Sequence, residues 1–416
     1  MIKQRLYLTI EIITAVSLLL ILFITLTEYA NPTEPIETTK VDDVLHTTPC
    51  KQGITLSLSD TAKSDAHFVK AHPTAKECYT PFPEDTPIFF YRKDVEALLM
   101  RKLCLSENTS CHYGLFSVEN QTIALFFADC QTVSQTEKLL TLIRCYSDYF
   151  PLAIIGDFTA ETSTLLCSIV DFESTSYQNT DVFYHSLSLE KTADPSLIFQ
   201  TLETKRTLHL ARPMVAVTYD DGPSDYTQQV LDAIKKEGAK ATFYVLGAQV
   251  ELYPETILAL YQSGCEIGNH TNLHEIFSAN TQSIIRKTIE ETNQKLRAII
   301  GIKAATVRPP TGSFVDRNQN RVSIGYPIVL WSLDTQDFLP DTTNETLLDT
   351  VLSSLCDGAI ILMHDTHENT ANTASLLFKT IHDRGYQTVT VSELIEFRLG
   401  GAEENKIYRG LATTEP

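Results

Sequence analysis

Positive charge is scarce in this chain. Its 416 residues carry 33 Lys and Arg against 52 Asp and Glu, a formal net charge of −19. A general nucleic-acid binder needs clustered Lys and Arg to meet phosphates, so that class is excluded. Any Cys-x-x-Cys pair is missing as well, which argues against a cysteine-based zinc site. The nine cysteines are odd in number. At least one thiol is therefore unpaired or pairs with another molecule. Cys50, Cys78, Cys104, Cys111, Cys130, Cys145 and Cys167 precede residue 213, and an oxidising compartment would permit disulfides among them. Cys265 and Cys356 follow it.

A cleavage signal is lacking too. Lys3 and Arg5 precede an apolar run from Ile12 to Thr27. With Leu6–Ile10 included, the stretch is long enough to cross a bilayer, although Glu11 interrupts it. A processed leader ends in a small-x-small site, and here only Ala30 is small, with Glu28 two residues before it. The expectation is an uncleaved transmembrane anchor within residues 1–29. Its basic end would be cytoplasmic and the rest of the chain outside the cell.

What is present is enough for a core: 43% of residues are hydrophobic and 20% charged. Residues 30–48, rich in Thr, Glu and Pro, read as a polar stalk. Residues 49–205 read as a smaller α+β domain of open role. PIFFYR, TIALFFADC, LAIIGDF and TLLCSIVDF look like strands; DVEALLMRKLC and TEKLLTLIRCY look helical.

From Pro213 the pattern changes. Apolar strands (MVAVTY, ATFYVLG, CEIGN, ATVRPP, PIVLWSLD, AIILMHD and TVTVSEL) alternate with amphipathic helices. Those helices are YTQQVLDAIKKEG, ETILALYQSG, TQSIIRKTIEETNQKLRAIIG, TLLDTVLSSLC and TASLLFKTIHDRG. Repeated strand–helix units imply a parallel sheet or barrel. Residues 206–400 form this α/β unit, and 401–416 form a polar tail. In such folds functional groups collect where strands end.

Polar residues do collect there. Asp220 and Asp221 end MVAVTY, either as a solvated turn or as two halves of a device. His270 and His274 follow CEIGN at a spacing that places both on one face of a helix or helical turn. Alone the pair more often packs than binds metal; with a carboxylate it would complete a zinc ligand set. Arg308 opens Arg-Pro-Pro-Thr-Gly, where it can clamp a carboxylate or simply be solvated. His364 ends AIILMH, and an aspartate from a neighbouring loop would keep it protonated as a general acid.

TYDDGP, HTNLH, RPPTG, DTQDF and ILMHD, in this order, resemble the motifs of the polysaccharide deacetylases, the NodB-homology domain of carbohydrate esterase family four. The similarity spans Pro213 to Leu394. It implies a distorted (β/α) barrel and metal-dependent removal of acetyl groups from a carbohydrate. By resemblance, Asp221, His270 and His274 hold a divalent metal, zinc ahead of cobalt. Asp220 is the general base and Arg308 holds it. Asp337 tunes the acid His364. Pro310, Thr311, Gly312, Phe338 and Leu362 line the substrate site, Leu362 against the acetyl methyl. The family usually has Tyr at the Thr311 position and Trp at the Phe338 position, which puts the walls of the sugar site in question rather than its chemistry. The expected substrate is acetylated cell-surface polysaccharide, with peptidoglycan N-acetylglucosamine first. Chito-oligosaccharide or acetylxylan comes next, and a non-catalytic carbohydrate-binding relative is the other class.

Overall fold

The computed structural model describes residues 45–50, 53–58, 95–118, 121–170, 172–177, 180–185, 187–191, 197–201, 206–210 and 212–411. The expected anchor, most of the stalk and PIFFYR lie outside the described residues. Among those described, no helix is long and apolar enough to cross a membrane.

Among the described residues, the early part of the chain forms three sheets. The strands β1 (Leu45–Cys50) and β2 (Gly53–Leu58) make one antiparallel hairpin. The second sheet draws on β3 (Val95–Ser106), β4 (Thr109–Val118), β5 (Gln121–Phe127), β6 (Leu152–Gly156), β7 (Glu173–Tyr177) and β8 (Thr180–His185). Its order is β3-β4-β5-β6-β8-β7. Helices α1 (Val133–Ser147) and α2 (Ala160–Ile169) fall between these strands. A short hairpin of β9 (Leu187–Lys191) and β10 (Leu197–Thr201) follows.

Two expectations are corrected here. DVEALLMRKLC is strand β3, not a helix: it pairs antiparallel with β4 across the tight turn at Glu107 and Asn108. That cross-strand ladder overrides the helical propensity of Leu, Met and Lys. TLLCSIVDF is mostly helix α2, not a strand. Thr159 caps it, accepting from Thr162 N, and buried Thr162 and Leu166 recur at a one-turn spacing. The seven described cysteines with side-chain placement, Cys104, Cys111, Cys130, Cys145, Cys167, Cys265 and Cys356, are free thiols rather than disulfide partners.

The later part is a parallel α/β unit. It contains strands β11 (Met214–Asp220), β12 (Thr242–Val245), β13 (Glu266–Asn269), β14 (Ile328–Val329), β15 (Leu333–Asp334), β16 (Ile360–His364), β17 (Gln387–Thr388) and β18 (Ile407–Tyr408). The main sheet runs β13-β12-β11-β16-β15, with β17 also paired to β11. Parallel bridges carry the pairing on from Asn269 to Val307 and from Val307 to Ile328. Every residue of β11 is buried, as a strand covered on both faces requires.

Seven helices accompany these strands: α3 (Thr227–Lys236), α4 (Gly247–Leu252), α5 (Pro254–Gln262), α6 (Gln282–Ile300), α7 (Asn344–Ser354), α8 (Glu368–Asp383) and α9 (Val391–Leu399). Thr281 caps α6 and Gly301 ends it in the left-handed conformation, φ 77°. Only the first residue of TVTVSEL, Thr388, is strand, as the end of β17. Thr390 then forms a capping box with Glu393 and starts α9.

Candidate active site

The chemistry-bearing side chains stand at the carboxyl ends of adjacent parallel strands. Asp220 and His364 are paired across the β11–β16 ladder, and Asp220 also pairs with Tyr244 of β12. Asn269 ends β13, and its carbonyl accepts from Arg308 N at 2.9 Å. Strand register alone therefore brings four distant segments to one rim.

Asp220 is buried, and Arg308 Nη1 donates to its Oδ1 at 2.7 Å. Thr218, two residues earlier and so on the same face of β11, accepts from the same nitrogen at 2.7 Å. Arg308 is itself fully buried. Its Nη2 donates to Leu330 O at 3.1 Å, and its guanidinium lies 4.2 Å from the Tyr244 ring centre. Burial pushes the Asp220 carboxyl above the usual carboxylate range, with the Arg308 charge opposing. The result is a firmly held carboxylate whose second oxygen, Oδ2, lies 3.8 Å from His270 Nε2.

Asp221, His270 and His274 converge beside it. Their ligand atoms lie within 4.8 Å of one another. Asp221 Oδ1 stands 3.5 Å from His270 Nε2 and 3.6 Å from His274 Nε2. The histidines do not share a helix face, as the spacing had suggested. They sit in a loop in which Thr271 and His274 take positive φ, 69° and 63°. Asn269 Oδ1 accepts from Thr271 N, and Glu275 Oε2 from Leu273 N, so local side chains replace helical hydrogen bonds.

These residues fit a divalent cation. Asp221 Oδ1 is buried without a hydrogen-bond partner. His270 Nδ1 is engaged by Arg308 O at 2.7 Å, which leaves Nε2 as the lone-pair nitrogen facing Asp221. Burial holds the His270 pKa well down, so the ring is neutral and able to ligate.

On the opposite side, His364 Nδ1 meets Asp337 Oδ1 at 2.8 Å. Asp337 Oδ2 accepts from His364 N and Thr370 Oγ1, both at 2.7 Å. Burial opposes the imidazolium, but the hydrogen bond and charge of Asp337, with Asp220 and Asp221 nearby, lift His364 to about 9. This favours the imidazolium form of His364 at neutral pH, with Nδ1 held by Asp337.

The wall residues are placed as follows. Leu362 is buried two residues before His364, on the same strand face. Phe338 is 49% exposed and meets the His364 ring edge-on at 5.6 Å. Pro310–Gly312 form a 3-10 turn in which Thr311 takes φ 61° and lies exposed. A Cβ on Gly312 would stand 3.0 Å from Trp331 Cη2, so the turn packs closely on that indole.

Sequence reasoning left Asp365 and Thr227 without roles. Asp365 is buried against Gly222 and bonded to Thr227 Oγ1. Burial pushes its carboxyl up to about 7, the Thr227 hydroxyl opposing. Its position directly after His364 was the available signal.

Fold and site together define an α/β protein whose parallel strand ends present a metal-competent Asp–His–His set beside an arginine-held carboxylate and an aspartate-held histidine. The polysaccharide deacetylase family description matches residues 208–329. A peptidoglycan-N-acetylglucosamine deacetylase of Bacillus cereus is 31% identical over 192 residues, 44% of this chain and 89% of that protein. The chain belongs to the polysaccharide deacetylase family. Peptidoglycan-N-acetylmuramic acid deacetylase PdaC of Bacillus subtilis is 35% identical over 199 residues, 48% of this chain and 42% of PdaC. The chain therefore spans less than half of PdaC's length. A solved structure of PdaC shares 36% identity, covering 46% of this chain and 93% of that one, with a TM-score of 0.43.

Proposed function

We propose that this protein is a metal-dependent deacetylase acting on N-acetylated cell-surface polysaccharide, with peptidoglycan N-acetylglucosamine as the leading substrate. The observation that carries the reading is the arrangement of Asp221, His270 and His274 beside Arg308-held Asp220, with Asp337-held His364 across the β11–β16 ladder. The relatives named above support the substrate class.

Asp221, His270 and His274 would hold the cation, zinc or cobalt, which supplies an acidified water and a polarised acetyl carbonyl. Asp220 accepts the proton of the attacking water. Arg308 keeps that carboxylate oriented, and the separate carboxylate of Asp221 leaves Asp220 free for the task. His364, cationic at neutral pH, donates its proton to the departing amine. The tetrahedral oxyanion needs a backbone donor. Pro310 has no N–H, and that of Gly312 is engaged by Pro309 O at 2.9 Å, so Thr311 N–H fills this role. Leu362 and Phe338 form the apolar wall for the acetyl methyl and sugar.

The parallel run is read as a distorted (β/α) barrel. Its far end returns toward β16, where Leu411 N donates to Gly358 O at 2.7 Å. The apolar segment Ile12–Thr27 supports an extracellular enzyme tethered to the membrane.

The test is acetate release from peptidoglycan, N-acetylated chito-oligomers and acetylxylan, after chelation and after Zn²⁺ or Co²⁺ is restored. Metal-dependent release, fastest from peptidoglycan, is expected. No release from any of them with metal demonstrably bound defeats the enzyme reading in favour of a carbohydrate-binding relative.

A further inference from the structure

Asp365 is a buried carboxylate that no step above uses. Its Oδ2 accepts from Thr227 Oγ1, and its main-chain carbonyl accepts from Ser224 Oγ at 2.5 Å. Thr227 Oγ1 in turn accepts from Ser224 N at 2.7 Å. The remaining oxygen, Oδ1, is buried with no hydrogen-bond partner. Both oxygens face Gly222: a Cβ there would stand 2.2 Å from Oδ1 and 2.3 Å from Oδ2. A buried polar atom without a donor is unfavourable, so packing alone is better served by an apolar side chain.

The placement is what matters. Gly222 follows Asp221 directly, Asp365 follows His364 directly, and Asp220 pairs with His364 in the ladder. Asp221 itself takes φ 72°, a conformation that a non-glycine residue holds only when its surroundings impose it.

We infer that Asp365 is a positioning residue: it pins Gly222, Ser224 and Thr227 to the end of β16 and thereby sets where Asp221 stands relative to His270 and His274. This rests on the reading of Asp221 as a cation ligand. Without the carboxylate, Thr227 and Gly222 lose their contacts with Asp365, only the Ser224 bond to its main-chain carbonyl still ties the segment to the end of β16, and Asp221 is held less firmly in its loop.

The experiment is a Co²⁺ titration of full-length Asp365→Ala, Asp365→Asn and Thr227→Val, followed by visible absorption and by chelator competition, with thermal unfolding in parallel. Asp365→Ala should weaken Co²⁺ binding by about 10–100-fold, the range for residues that orient metal ligands, and alter the cobalt spectrum. Asp365→Asn, which keeps the size and an acceptor for Thr227, should restore most of the affinity. Thr227→Val should weaken binding partway. Lowered unfolding temperature with wild-type affinity and spectrum would show a merely structural role and overturn the inference. Should Asp365→Ala fail to fold, an unchanged affinity and spectrum in Thr227→Val overturns it equally. A wild-type protein that binds no Co²⁺ would sink the cation reading as well, which separates the two failures.

Discussion

Two adjacent aspartates have different fates because their neighbours differ. Asp220 ends a buried strand and meets a buried guanidinium, whereas Asp221 turns through a positive φ toward two imidazoles. Asp220→Asn should therefore abolish acetate release while Co²⁺ binding persists. Asp221→Asn should weaken Co²⁺ itself, and equal metal loss in both variants would contradict the division of roles. The pH dependence follows from His364. Its folded pKa, about 9, lies above the ordinary histidine value. The imidazolium–Asp337 pair therefore contributes stability that is fully present below the unfolded pKa and is lost as pH rises through about 9. Activity that needs protonated His364 should fall over the same alkaline limb. In Asp337→Asn the limb should move to lower pH and the maximal rate should drop by about 10²–10⁴-fold, the usual worth of a general acid. A pH–rate profile of wild type and variant checks both statements.

At the scale of elements, legibility tracked how local the cause was. β11, α3 and α6 were readable because their apolar patterns lie within each segment, and Gly238 and Gly301 follow the two helices. β3 was not, because its pairing with β4 and the tight turn between them outweigh a helix-like composition. α2 and α9 were missed as helices although both carried a capping threonine, Thr159 and Thr390, just before the apolar residues. The α9 cap is testable. Thr390→Ala removes the hydroxyl that accepts from Glu393 N and should cost about 1 kcal/mol in urea unfolding, without changing Co²⁺ affinity. A loss below the error of the unfolding curve would show that tertiary packing alone holds the start of α9.

At the scale of the molecule, α9 is where the two large sheets meet. Glu396 is buried and accepts from Arg101 Nη1 at 2.5 Å, Tyr146 Oη at 2.7 Å and Tyr113 Oη at 3.1 Å, all from the earlier part of the chain. One turn earlier on the helix, Glu393 meets Lys240, whose ammonium also lies 2.7 Å from Asp148. One apolar cluster includes Tyr146 and Ile143 together with Val215 and Ile300. Arg101→Met would strip the buried Glu396 carboxylate of its counter-charge, and breaking such a pair costs about 3–5 kcal/mol. The expected result is a lower midpoint in a single unfolding transition reported alike by probes on both sheets. Separate transitions, with only the β3 sheet destabilised, would show that the contact does not couple them.

The sequence by itself determined which residues could do chemistry: the paired aspartates, two histidines, arginine and terminal histidine each follow an apolar strand, and strand ends are local features. It also determined that the later half alternates strands and helices, since that pattern is carried by short-range periodicity. Tertiary structure alone decided how those groups are used. The β11–β16 register sets Asp220 opposite His364, a loop rather than a helix presents His270 and His274, and Gly222 yields space to Asp365. The first and last of these depend on contacts between residues far apart in the chain. No window of sequence contains both partners, so that geometry exists only once the sheet has formed.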